Sequence, residues 1–383
     1  MKKKILHALS YVLVVVLTCA LTLVISGNWQ RIAPSSKLTE LVALLETYYV
    51  DEFDLAKLED AAANAMVDAL PDRWSYYISA DDYASYMENK NNAYVGIGVT
   101  IQQSEGKLVI LKVAEGGPAE EAGMLPGDIL VAADGAELSG LDLTQVRPLI
   151  QGKEGTTVEL IVLRDKEQLV LTVERRTVRT PVATAEMLDG NIGLVTIANF
   201  NTNCASESIA AVEQLLAQGA TMLIFDVRNN GGGYTAEMVE LLDYLLPEGP
   251  LFRTLSYAGK EKVEYSDAKH VDVPMAVLVN GGSYSAAEFF AAALKEYDAA
   301  ILAGEQTSGK GYYQVTYQLK DGSAVAMSIG KYFTPQNKSL EGVGLTPEVY
   351  VAVEQDVAAA IAAGTLEPAE DPQIQAAVAA LCR

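Results

Sequence analysis

The chain has 383 residues, half of them hydrophobic, with 50 acidic against 28 basic side chains and a formal net charge of −22. Such a length accommodates two or three domains with cores of their own. The acidity counts against nucleic acid or an anionic membrane surface as a partner, because phosphate recognition needs clustered Lys and Arg.

Residues 1–4 carry Lys2, Lys3 and Lys4, and the run 5–26 that follows is uncharged. About 22 residues at about 1.5 Å each are enough to cross a hydrocarbon core. No A-x-A-like cleavage site follows, so the run reads as a transmembrane signal anchor. The positive-inside rule keeps the lysines cytoplasmic and places the body outside the cell membrane, as a single-pass protein. Thr18 precedes Cys19 where lipid attachment would want a smaller residue, so Cys19 reads as part of the apolar run. Cys204 and Cys382 are the other cysteines, so no disulfide framework and no Cys/His metal pattern exist. No cofactor is expected. Of two histidines, His7 lies in the apolar run and His270 in "SDAKHVDVP", which reads as a solvated loop.

Residues 27–37 form a polar linker. Residues 38–92 are helical in pattern as far as about Leu70, with apolar positions at i, i+3, i+4 and i+7, followed by a turn and an aromatic-rich helix start. From 93 to 178, short β-branched runs alternate with Gly, Pro and Asp turns around one helix pattern, "LDLTQVRPLI", which predicts a small, mainly β module. Over 179–353 strands alternate with helices: "GNIGLVTIANF", "SESIAAVEQLLAQG", "TMLIFDVRNN", "TAEMVELLDYLLP", "PMAVLVN", "SAAEFFAAALKEY" and "AAILAG". That order predicts βα crossovers and a largely buried sheet, an α/β core. The strands "YYQVTYQL" and "SAVAMSIGKYF" complete it, and 354–383 is an Ala-rich helical tail broken by "EPAEDP".

Two stretches carry chemistry. "GEQTSGKGYYQ" (304–314) matches G-x-x-x-x-G-K, but Gly311 replaces the magnesium-binding hydroxyl and a β pattern, not a helix, follows Lys310. The phosphate-loop reading fails on both counts. Upstream, "VLVNGGSYSAAEFF" runs from strand through a glycine pair to a helix start at Ser285, an arrangement that can present a hydroxyl beside oxyanion-stabilising N–H groups. Ser285-Ala-Ala-Glu288 also fits a capping box. A serine nucleophile needs a base, and a lysine desolvated by "AAILAG" and "YYQV" can serve.

Taken together, "GGSYSAAEFFAAALKEYDAAILAGEQTSGKGYYQ" resembles the catalytic segment of the carboxyl-terminal processing, or tail-specific, proteases of serine peptidase family S41, whose pattern is roughly S-x-S-x-x-E and then G-E-x-T-x-G-K-G-x-x-Q. "DVRNNGGG" is similar to the family's D-L-R-x-N-x-G-G, with Asp226, Arg228, Asn230, Gly232 and Gly233 matching. "DRWSYY" and "KYFTPQNKSLEGVGLTPEV" look like two further family segments. The 93–178 module resembles a PDZ domain, through "GGPAEEAGMLPGDILVAADG" and "GIGV".

The resemblance implies a ClpP/crotonase-like α/β protease core with an inserted PDZ domain, an N-terminal helical region and one transmembrane helix. It implies Ser285 as nucleophile, Lys310 as general base and Gln314 as the residue orienting the lysine. Backbone N–H groups of Ala286 and of Gly232 or Gly233 would form the oxyanion hole. Gly96, Ile97, Gly98 and Val99 would accept a substrate C-terminus by β-augmentation. Three departures stand out: Ala287 replaces a frequent serine, Gly231 the proline of N-P-G-G, and Gln151 a frequent arginine. Gly231 adds backbone freedom near the oxyanion loop, and Gln151 removes a charge that would couple the PDZ module to the site.

The expected protein is a membrane-anchored, extracytoplasmic serine endopeptidase acting near apolar protein C-termini, with no metal. A homodimer through the 38–90 helices and the Ala-rich tail is expected to be within reach. The rival readings are a catalytically silent PDZ adaptor and a His/Asp/Ser protease relying on His270.

Overall fold

The computed structural model describes residues 36–104 and 106–382. The expected span 5–26 and the cytoplasmic lysines lie outside the described residues. Among those described, no helix is long and apolar enough to cross a membrane.

The chain divides between Ala62 and Ala63 into two compact units. In the first, the helix Ser36–Tyr48 and the start of the helix Leu55–Asp68 expose Leu41, Leu44, Tyr48 and Leu58. The division falls inside the segment 38–92. Strand Tyr76–Ile78 and helix Ala80–Asn91 belong to the second unit, where the strand pairs with Ala324–Ala326 of the strand Ala324–Phe333.

That second unit is built on a six-stranded sheet in the order 183–188, 192–197, 222–226, 275–279, 300–304, 349–350. The first pair is antiparallel and every later pair is parallel. Parallel strands need crossovers, which cover faces and leave the strands buried on both sides; all five residues of Met275–Val279 are buried, as an unbroken "MAVLV" requires. Alternate residues serve two cores. Val195, Phe225 and Val277 pack against the crossover helices Cys204–Ala217, Thr235–Leu245 and Ala286–Glu296. Leu194, Ile224 and Ala276 face the C-terminal helix Pro372–Leu381 through Ile374 and Ala377. Arg228 anchors that helix: its guanidinium pairs with Asp226 and with Asp371, the residue capping the helix, at 2.5 and 2.8 Å. The matched Asp and Arg of "DVR" are thus framework residues.

A second sheet joins strand 76–78, Ala324–Phe333, Tyr312–Gln318 and a hairpin, Gly249–Ser256 with Glu261–Ser266. The hairpin was not legible in the periodicity, because its residues are mostly half-buried and its polar outer positions break the strand signal.

The β module has its own core, with Leu108, Leu130, Val146, Val158, Leu160 and Val173 buried. Its sheet runs 99–104, 107–113, 129–133, 157–164, 167–174. Strand 157–164 buries Val158, Leu160 and Val162 and turns its other residues outward, the period-2 pattern of a one-faced sheet. Chain entry and exit form a two-stranded ribbon, Ala93–Gly96 against Arg176–Arg179.

Candidate active site

The strand Met275–Val279 ends in the turn Asn280–Ser285. Ser283 locks this turn by donating to Val227 O at 2.7 Å, and Tyr284 N–H donates to Asn230 O at 3.1 Å. These bonds fasten the turn to the "DVRNNGGG" loop. Ser285 follows with φ 58° and ψ −127°, a left-handed conformation strained for a residue with a Cβ. Strain of this kind at a strand-to-helix corner lifts a hydroxyl clear of its surroundings. The helix it starts, "AAEFFAAALKE", is buried from Ala286 to Leu294, with Phe290 packed on Phe200 and Phe225.

Ala286 N–H heads that helix, where the first N–H groups have no helical partner. Gly232 lies directly beside it: a Cβ on Gly232 would come within 2.8 Å of Ser285 Cβ and 2.9 Å of Ala286 N, and its φ of +83° favours glycine independently. The Gly232 N–H, however, donates to Asn230 Oδ1 at 2.8 Å. No such bond is present for the Gly233 N–H among the described residues. Asn230 is fully buried and also donates to Ile197 O at 2.8 Å, so the loop is pinned despite the missing proline. The space at Gly231 is taken by Tyr284, whose Oη would lie 2.5 Å from an added Cβ.

Lys310 sits in the loop between strands 300–304 and 312–318, with no helix after it. Its Nζ lies 5.1 Å from the Trp74 ring centroid and 5.6 Å from that of Tyr284, two rings stacked 6.1 Å apart. Burial and the nearby Lys90 ammonium bring its pKa down to about 8, against the opposing pull of Asp72, Glu341 and Glu288. Trp74 is fixed from both sides: its Nε1 donates to Glu341 at 3.1 Å, and the Arg73 guanidinium lies 4.2 Å over its ring.

Glu288 joins the two segments. Its fully buried carboxylate accepts from Thr307 Oγ1 at 2.5 Å, Gly309 N–H at 2.8 Å, Lys310 N–H at 2.8 Å and Ser285 N–H at 3.1 Å. Burial raises its pKa while these donors pull it back down. Read from sequence as a helix-cap partner alone, Glu288 also positions the lysine loop.

Gln314 donates to Tyr312 O at 3.1 Å and Ser328 Oγ at 3.0 Å, and no hydrogen bond links it to Lys310 in this structure. His270 is exposed, its ring against its own loop at Ala268 O. Cys204 is buried and Cys382 exposed, both free.

The sequence of this framework matches known proteins. Residues 191–351 match peptidase family S41 and residues 109–164 the PDZ domain. The chain is 31% identical over 346 residues to the carboxy-terminal processing protease CtpA of Bacillus subtilis, covering 87% of this chain and 74% of that protein. The chain belongs to peptidase family S41. As an S41 member it is a serine-type endopeptidase of the C-terminal processing kind. It is also 32% identical over 315 residues to a CtpA-like serine protease of Staphylococcus haemolyticus, covering 81% of this chain and 63% of that one. A Bacteroides fragilis structure described as an S41 protease shares the fold, at 17% identity and a TM-score of 0.50, covering 87% of this chain and 92% of that chain.

In this S41 protein the PDZ cleft opens beside the protease core. The carbonyls of Ile97 and Gly98 accept from Ala119 and Ala114 N–H at 2.9 and 2.8 Å, while their own N–H groups have no partner among the described residues. Val99 begins the strand that borders it and Gly96 ends the ribbon. The ribbon is clasped to the core where Asn92 and Asn199 exchange amide hydrogen bonds of 3.1 and 2.9 Å. Next to Asn199, Phe200 N–H donates to Gly232 O at 2.9 Å, so the PDZ neck and the "DVRNNGGG" loop hold the same segment.

Proposed function

We propose that the chain is a membrane-anchored, extracytoplasmic endopeptidase working by a Ser285–Lys310 dyad, with its PDZ domain taking the apolar C-termini of protein substrates. The observation that carries this reading is the single buried carboxylate, Glu288, that ties the nucleophile's backbone to that of a desolvated lysine. Neutral Lys310 removes the Ser285 hydroxyl proton as Oγ attacks the scissile carbonyl. The resulting oxyanion is held by Ala286 N–H and Gly233 N–H. The Lys310 ammonium returns its proton to the departing amine as the C–N bond breaks, and water then hydrolyses the acyl-enzyme with Lys310 again as base. Gln314 would steady the lysine once it turns from Ser328. A rival adaptor would need neither the depressed lysine nor the strained serine.

The test compares the full chain, solubilised from membranes, with Ser285→Ala and Lys310→Ala on a peptide ending in free apolar residues. Cleavage by the parent and its loss in both folded variants support the dyad. Cleavage that persists in Lys310→Ala removes the lysine from the base role. Binding by all three without cleavage favours the adaptor.

A further inference from the structure

The PDZ cleft, about 570 Å³, is lined on one side by the helix Leu143–Ile150 and on the other by the strand Val99–Ser104 and the Gly96–Gly98 loop. Leu143, Val146, Arg147 and Ile150 line it at i, i+3, i+4 and i+7, one helical face. Three of the four are apolar. Arg147 is exposed, and its guanidinium has no ion pair or hydrogen bond among the described residues. Two other arginines of the module are engaged: Arg175 donates to Ile150 O and Thr157 O, and Arg176 pairs with Glu121. Glu88, from the helix Ala80–Asn91, is the other charged residue of the cleft lining.

The direction of a bound peptide follows from the frame. Gln103 Nε2 donates to Leu141 O at 3.3 Å, so the helix enters beside the far end of the strand and runs back toward Val99. Ile150 therefore lies toward the free N–H groups of Ile97 and Gly98, where a terminal carboxylate would sit. A peptide added to the strand presents alternate side chains to the helix, its last residue and the one two before it. Two extended residues advance about 6.6 Å and the three helical residues from Ile150 to Arg147 about 4.5 Å, a difference that a long arginine side chain spans.

We propose that Arg147 makes the PDZ domain select protein C-termini with an acidic side chain two residues before an apolar last residue. This rests on the reading of the cleft as a C-terminus receptor. In a protein of net charge −22, an unpaired guanidinium on a helical face otherwise made of Leu143, Val146 and Ile150 supplies charge complementarity that the rest of the surface opposes.

The full chain in detergent micelles is titrated with fluorescent peptides that share one apolar last residue and carry Glu, Gln or Lys two residues before it. The parent is expected to bind the Glu peptide about tenfold more tightly than the Gln peptide, as for a hydrogen bond to a charged group. Arg147→Glu should move the preference to the Lys peptide, and Arg147→Gln should equalise Glu and Gln. Equal affinity of the parent for Glu and Gln overturns the proposal, as does an Arg147→Gln variant that weakens all peptides alike, which would place Arg147 on the terminal carboxylate. If no peptide with a free carboxylate binds while core cleavage persists, the receptor reading itself fails, and the selection with it.

Discussion

Ser285 and Lys310 meet through their backbones at one oxygen: Glu288 Oε2 accepts the Ser285 N–H at 3.1 Å and the Lys310 N–H at 2.8 Å. The Ser285 turn and the Lys310 loop are therefore set relative to each other by a third residue, which in the proposed dyad would position nucleophile and base. Replacing that carboxylate by an amide puts an N–H₂ among four donors. Glu288→Gln is expected to lower stability by about 1–3 kcal/mol, the penalty for unsatisfied buried donors. It should lower kcat further than a general loss of stability explains; denaturant unfolding and kinetics under fully folded conditions separate the two.

A base with a pKa of about 8 is mostly protonated at neutral pH. With Lys310 as base, about a tenth of the enzyme is competent at pH 7, and kcat/KM should rise with pH and level off above about pH 8 to 9. A profile flat between pH 6 and 9 would remove Lys310 from the rate equation.

Trp74 forms part of the wall that desolvates this lysine. Its ring attracts the ammonium, which favours the charged form, but burial is the largest influence on Lys310 and favours the neutral one. Trp74→Ala should thus move the lower limb of the pH–rate profile upward while leaving the high-pH plateau less affected. A downward move would show that ring attraction dominates.

The depressed lysine has a stability consequence of definite sign. Between about pH 8 and 10.5 the unfolded chain binds the lysine proton and the folded chain does not, so stability rises with pH across that window. Below it the penalty is complete, about 3 kcal/mol on the linkage relation. Lys310→Met, which removes the charge and keeps the stem, is expected to stabilise the protein at pH 7 by about 1–3 kcal/mol while abolishing activity. The check is the chemical-denaturation midpoint at pH 7 and pH 10, where the gain should shrink.

Gly232 adjoins Ser285 and Ala286 with no room for a side chain. Gly232→Ala must displace the turn or the helix N-terminus by several tenths of an ångström at a left-handed position. A displaced oxyanion donor typically costs about 2.7–4 kcal/mol of transition-state stabilisation. The expected result is a fall of roughly a hundredfold or more in kcat with substrate KM little changed; parental kcat in this variant would separate Gly232 from the site.

The sequence by itself determined much of this protein. Unbroken apolar runs such as "MAVLV" alternating with amphipathic helices fixed the parallel core, because burial on both faces leaves no other pattern. Short β-branched runs between Gly, Pro and Asp turns marked the β module, while the one-faced burial of "TVELIVLR" emerged only in the structure, because Ile161 and Leu163 blur its apolar alternation. Ser285, Lys310 and the glycines stood out because their local signals, a turn before a helix and a lysine between apolar runs, are short-range. What only the tertiary structure decided depends on residues far apart along the chain. Trp74 reaches Lys310 across more than two hundred positions, and nothing local to "DRWSYY" announces a wall for a lysine. Gly232 gives its N–H to Asn230, a choice set by how the loop packs over Ile197. Glu288 satisfied its local capping role and took on Gly309 and Lys310 as well, since a carboxylate has more acceptor sites than one helix end can fill. Local periodicity encodes which face is buried; which distant polar groups then meet on that face is settled only when the layers close.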